Sequence, residues 1–209
     1  MFLLENIFFM PISRQPLPDQ TSNNPPNGSA WFHIVLTTYG TWLPGDRRGF
    51  RTRHHRQHVE GDYKASPKES YSALHAKSAA EMKHATARVA EDYRSVLGIA
   101  LIQRLHQLGG FPLTCAVMPN HVHLLVKLPA EEVQNWIALA KKHAWFEMRD
   151  AGWQEKLWAK KGKIVRIRDK PHQRNCFAYI VKHYQQGAWV WVRDCVSDSV
   201  LKRILGEKK

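Results

Sequence analysis

Acidic side chains are scarce in this chain of 209 residues: 18 Asp and Glu stand against 31 Lys and Arg, for a formal charge of +13, with 12 histidines besides. Such an imbalance is the electrostatic footprint of a polyanion binder. Cysteine is scarce too. Cys115, Cys176 and Cys195 cannot all pair and form no C-x-x-C, which excludes a disulfide framework and points to free thiols in a reducing compartment. Long apolar runs are missing as well. The opening MFLLENIFFMPI lacks a basic n-region, contains Glu5 and meets Pro11 too early to span a bilayer, so neither a membrane segment nor an export signal is expected. Apolar residues at 44% and charged residues at 23% are ordinary values for a folded domain, and the length suits one or two domains.

The basic excess is clustered. Pro44 to His58 holds five arginines against Asp46 alone, and Lys141 to Arg174 holds eleven basic against four acidic residues. A merely solubilising charge would be spread more evenly.

Residues 1–30 read as a flexible leader, since QPLPDQTSNNPPNGS is rich in Pro, Asn and Ser. WFHIVLTTY, from Trp31 to Tyr39, predicts a first strand. The stretch after it, Gly40 to Pro67, has no period and several breakers and predicts a long basic loop, an insertion at about 44–68. Apolar positions recurring every three or four residues predict a helix from about Ala79 to Leu108. PLTCAV and HVHLLVK around Met118, Pro119 and Asn120 predict a hairpin. Val133, Trp136, Ile137, Ala140, Ala144 and Met148 mark a second helix, and KIVRIR a strand. A third helix is predicted after Pro171, running to about Gln186. Residues 31–195 thus form one domain and 196–209 a C-terminal tail. The order β, α, β, β, α, β, α fits an α+β fold. It is the ferredoxin-like split βαβ sandwich, an antiparallel sheet with helices on one face and an extra C-terminal helix.

His121 and His123 are two apart on a strand, so they leave one face, about 6.6 Å apart at the backbone, and can converge on one cation. With 12 histidines in the chain, one His-x-His pair is what chance supplies, so context must decide. Tyr179 and His183 share a helical stripe. If that stripe covers the open face of the sheet, His183 completes a three-ligand site with open positions and the Tyr179 hydroxyl points at the same centre. A phenol is a weak nucleophile at neutral pH, and a divalent cation on the scissile phosphate would polarise its target. Read as packing instead, Tyr179 is one apolar residue among Phe177, Ile180 and Tyr184.

MPNHVHLLV followed by AYIVKHY on a late helix, with FHIVLTTYGTWLPGDRRGF and RHHRQHVEGDYK upstream, resembles the single-tyrosine HUH transposases of bacterial insertion sequences. This IS two-hundred-like group includes the REP-associated tyrosine transposases. The resemblance spans about Trp31 to Trp191. It implies that residues 31–195 are a catalytic domain with His121 and His123 as metal ligands and Tyr179 as nucleophile. Such an enzyme cleaves single-stranded or hairpin DNA, holds a 5′-phosphotyrosine and leaves a 3′-OH for rejoining without ATP, in transposition, recombination or the processing of REP elements. Where family members often carry a further Gln ligand one turn after the tyrosine, this chain has His183. The cofactor implied is a divalent metal, Mg or Mn first, with Zn, Co or Ni open because imidazoles suit them better than Mg. Arg47, Arg48, Arg51, Arg53, Arg56, His54, His55 and Lys182 are the expected DNA contacts, with Trp42 and Phe50 as stacking faces. Trp189 and Trp191 read equally as packing or stacking. The implied setting is cytoplasmic and nucleoid-associated, with no membrane partner, as a homodimer or a monomer. Two other readings remain from the sequence. One is a catalytically silent, domesticated DNA-binding protein. The other is a His-φ-His nucleotide hydrolase, which Leu125 in place of a third histidine disfavours.

Overall fold

The computed structural model describes residues 12–17, 25–48, 50, 71–160 and 162–206. The elements are β1 (Ser29–Thr37), α1 (Ser72–Ala80), α2 (Glu91–Gln107), β2 (Phe111–Val117), β3 (His121–Pro129), α3 (Val133–Asp150), β4 (Lys163–Arg166), α4 (Lys170–Lys182), β5 (Trp189–Val192) and α5 (Asp198–Leu205). The chain divides into two compact units, residues 1–36, 89–154 and 161–209 in the first and 37–88 with 155–160 in the second.

The first unit holds one five-stranded sheet in the order β4-β1-β3-β2-β5. β4 is antiparallel to β1, and β2 is antiparallel to both β3 and β5. The inner order β4-β1-β3-β2 is that of the split βαβ sandwich, so the expected α+β class is present, widened by β5 at the β2 edge. Alternation along the strands assigns the two faces. Phe32, Ile34 and Leu36 of β1 and Val122, Leu124 and Val126 of β3 are buried, and α2 packs on β2, on β5 and on α3. Each such aliphatic side chain contributes about 1.5–3 kcal/mol by leaving water. On the opposite face, Ala116 and Leu125 share an apolar cluster with Phe177, Ile180 and Val181 of α4, with Val190 and Val192 of β5 and with Leu201 of α5. Ser13 bridges to β5, its amide donating to the Val190 carbonyl at 2.8 Å and its carbonyl accepting from Val192 at 3.1 Å, which pairs the strand's outer edge.

The hairpin forms where the sequence places it, closed by the Met118 amide on the His121 carbonyl at 2.9 Å. α3 buries Val133, Ile137, Ala140, Ala144 and Met148 of the periodic set and leaves Trp136 half-buried. The helix expected from Ala79 to Leu108 is different. It starts only at Glu91, because the preceding backbone is drawn into tertiary hydrogen bonds: Ala87 donates to the Tyr39 carbonyl at 2.9 Å and Val89 to that of Pro119 at 2.7 Å. β5 and α5 have no counterpart in the expected order. Trp189 and Trp191 are packing residues, 5% and 2% exposed.

The second unit contains α1. Within it Thr38 Oγ1 donates to the Ala87 carbonyl at 2.7 Å. Phe50 is buried against the Tyr71 ring, centroids 4.9 Å apart, so it offers no free stacking face. Of the expected basic loop, residues 40–48 and 50 are described.

Candidate metal centre

α4 owes its position to an N-cap and a Pro in its first turn. The Asp169 carboxylate accepts from the His172 amide at 2.7 Å, and Pro171 occupies a position that needs no donor. Its buried stripe of Cys176, Phe177, Ile180 and Val181 seats it on the face of the sheet that carries His121 and His123. At His183 the helix tightens to a 3₁₀ turn, His183–Gln186. The His183 amide then bonds the Ile180 carbonyl and leaves the Tyr179 carbonyl to another donor, the His183 ring itself, whose Nδ1 lies 2.9 Å away. Gly187, with φ +77°, ends the turn in a left-handed conformation that suits glycine.

His121, His123 and His183 come together from two separate elements, and their ligand atoms all lie within 4.8 Å of one another. Among the described residues no other cluster of three metal-ligating side chains is present. Each ring is anchored through Nδ1. His183 donates to the Tyr179 carbonyl, His121 Nδ1 lies 2.6 Å from Asn120 Oδ1, and His123 Nδ1 lies 3.0 Å from Nε2 of His33. At His121 and His183 an oxygen acceptor at Nδ1 fixes the tautomer in which Nε2 carries the lone pair, as histidines that bind metals require, whereas at His123 the Nδ1 partner is a second imidazole. The His123 Nε2 atom is buried and has no hydrogen-bond partner. A buried nitrogen in that state is costly unless a ligand meets it. Burial, with the neighbouring rings of His121, His183 and His33, pushes the His123 pKa down to about 2. Burial, with Lys163, His172 and His183 nearby, lowers that of His33 to about 4. Both rings are therefore neutral at physiological pH, the form a metal ligand must have. The orphaned nitrogen and the all-imidazole donor set fit a divalent cation, with first-row transition metals favoured over magnesium.

Tyr179 stands beside this cluster in the same chain. Its ring centroid is 4.7 Å from that of His183, 5.3 Å from His123 and 6.0 Å from His33. It is 51% exposed, while His183 is 5% and His123 4% exposed. The packing interpretation of Tyr179 therefore fails: this residue looks outward from a helix whose other apolar residues, such as Phe177 and Ile180, are buried. Leu125, where a His-φ-His hydrolase would need its third histidine, is fully buried in the apolar cluster beneath α4.

The expected DNA contacts divide. Lys182 on α4 is exposed, and so is Arg47 in the second unit. Arg48 is already committed: its Nε donates to Asp46 Oδ1 at 2.8 Å and its guanidinium lies 4.6 Å from the centre of the Trp42 ring. The same ion pair lowers the Asp46 pKa. Trp42 itself is 53% exposed. Arg51, Arg53, Arg56, His54 and His55 lie outside the described residues. All three cysteines are free, Cys115 and Cys176 buried and Cys195 exposed. No helix among the described residues is long and apolar enough to cross a membrane.

The residue that sequence reasoning missed is His33. Its partner is 90 residues away, so no local spacing reveals the pair. The available signal was parity. His33 alternates with Phe32 and Ile34 as His123 alternates with Val122 and Leu124, and β1 neighbours β3 in the split βαβ order.

No protein-family model and no curated protein matches the chain. Among solved structures it is similar to a REP-associated tyrosine transposase bound to a REP hairpin, at 15% identity and TM-score 0.41, over 81% of this chain and 75% of that one. What this chain does has to be read from its own residues.

Proposed function

We propose that this chain is a metal-dependent, single-tyrosine DNA strand transferase that nicks and rejoins single-stranded or hairpin DNA, as in transposition or the processing of REP elements. The observation that carries the reading is the outward-facing Tyr179 phenol set against the buried rings of His123 and His183. A solvent-facing nucleophile against buried imidazoles is an arrangement suited to attack on a polyanion arriving from outside. A helix that packed purely for stability would turn this ring inward.

His121, His123 and His183 would hold the cation, Mg or Mn in the cell by the family resemblance, with Mn, Zn, Co or Ni better matched to the imidazoles. When bound, it supplies Lewis-acid withdrawal of charge from the scissile phosphate. The chain's own groups do the rest. The Tyr179 hydroxyl attacks phosphorus, forming the Oη–P bond as the P–O3′ bond breaks; the phenolic proton leaves Oη, and the departing oxygen takes up a proton to become a free 3′-OH. The 5′-phosphate remains on Tyr179, and attack by a 3′-OH reverses the step. One phosphodiester is exchanged for another, in which Tyr179 Oη replaces O3′ on the same phosphorus, so no nucleotide is consumed. Lys182 and Arg47, with Arg51, Arg53, Arg56, His54 and His55, lower the electrostatic cost of bringing DNA near by neutralising phosphates. Arg48 contributes less, because Asp46 already pairs with it.

Incubation with hairpin-bearing single-stranded DNA and Mn²⁺ tests the reading. Wild type is expected to give a protein–DNA adduct that survives denaturant, and Tyr179→Phe none. DNA retention that salt abolishes, with no adduct from either protein, would instead identify a silent DNA binder.

A further inference from the structure

We propose that His33 is a positioning residue for the metal centre, its Nε2 accepting a hydrogen bond from His123 Nδ1 so that His123 presents Nε2 to the cation. The inference rests on the reading of His121, His123 and His183 as a metal site, and it assigns a role to a side chain which that reading leaves out.

Three observations carry it. His33 Nε2 and His123 Nδ1 are 3.0 Å apart, a normal hydrogen-bond length. Their rings are stacked, with centroids 5.2 Å apart and planes 27° from parallel, so the contact restrains the tilt of the His123 ring as well as its tautomer. The opposite nitrogen of His123 is buried with no partner. A proton on Nδ1 donated to His33 forces the lone pair onto Nε2. Without that acceptor the neutral ring can carry its proton on either nitrogen, and a proton on Nε2 blocks the ligand position. His33 is to His123 what the Asn120 side chain is to His121 and the Tyr179 carbonyl is to His183. Its own Nε2 is turned to His123, which makes it an outer partner of the cluster instead of a fourth ligand.

Partners of this kind are worth about 10- to 100-fold in metal affinity. The test is a Co²⁺ titration of the full chain followed by visible absorption, with far-UV circular dichroism of the metal-free proteins confirming the fold. His123→Ala serves as the control that removes a ligand. His33→Leu is expected to weaken Co²⁺ binding by about 10- to 100-fold, the range for lost outer-sphere partners. His33→Gln, whose amide oxygen can accept from His123 Nδ1, is expected to recover most of the affinity, with a spectrum close to that of wild type. Wild-type affinity in a folded His33→Leu protein overturns the inference while leaving the metal site intact. A folded His33→Gln protein as weak as His33→Leu overturns it too, since the hydrogen bond would not be what matters. If wild type and His123→Ala bind Co²⁺ equally poorly, the metal site itself is refuted and the role of His33 falls with it.

Discussion

Gly98 lies inside α2, where host–guest behaviour alone predicts that alanine would stabilise the protein by about 1 kcal/mol. The structure reverses the sign. A Cβ at position 98 would stand 2.0 Å from Cζ3, 2.6 Å from Cε3 and 2.8 Å from Cη2 of Trp189, where carbon atoms in good contact are about 3.5–4.0 Å apart. Trp189 has nowhere easy to retreat, since all four residues of β5 are buried. Overpacking of this kind costs about 1–3 kcal/mol, and a 2.0 Å approach to a ring carbon belongs at the upper end of that range, so after the helix gain of about 1 kcal/mol Gly98→Ala should destabilise by a net of about 2 kcal/mol. At a urea slope of about 1–3 kcal/mol/M, the midpoint falls by roughly 0.7–2 M. A double-mutant cycle isolates the cause. In a Trp189→Leu background the clash is relieved, and Gly98→Ala should become neutral or stabilising. A Gly98→Ala protein with an unchanged or raised midpoint in the wild-type background would refute the packing argument.

Two further predictions concern the site. Because Tyr179 stands beside the histidines of its own chain, mixing Tyr179→Phe with His123→Ala protein should restore no DNA adduct in a gel assay; adduct at a substantial fraction of the wild-type level would mean that the tyrosine serves a partner's histidines. The depressed pKa values of His33, about 4, and His123, about 2, make metal-free stability fall with acid. Below the ordinary histidine value of 6.5 the unfolded chain binds protons that these two buried rings refuse, so stability is complete above that pH and declines as pH falls toward 4. Urea midpoints measured between pH 7.5 and 4.5 should drop for the wild type and drop less for His33→Leu; equal slopes would contradict the assignment.

Much of the site is legible in local spacing, because both of its halves are short-range patterns. His121 and His123 are set by the two-residue period of β3, and Tyr179 and His183 by the turn of α4. What spacing cannot show is what depends on distant partners. His33 belongs to the cluster only once β1 lies beside β3. The four residues of β5, WVWV, are buried on both faces, so the strand carries no alternation to distinguish it from any apolar run. The 3.6-residue period runs on upstream of Glu91, yet hydrogen bonds to Tyr39 and Pro119 hold that backbone out of the helix. Gly98, which helix propensity alone counts against α2, is a requirement of Trp189.

The central claim is that the Tyr179 oxygen becomes bonded to DNA phosphorus. It is tested most directly by trapping the reaction with hairpin DNA and Mn²⁺, digesting protein and DNA, and locating the modified peptide by mass spectrometry. The account predicts a 5′-phosphonucleotide on the peptide that contains Tyr179, absent when a chelator replaces Mn²⁺. Cleaved DNA with Tyr179 unmodified, or a nucleotide carried by any other residue, would contradict it.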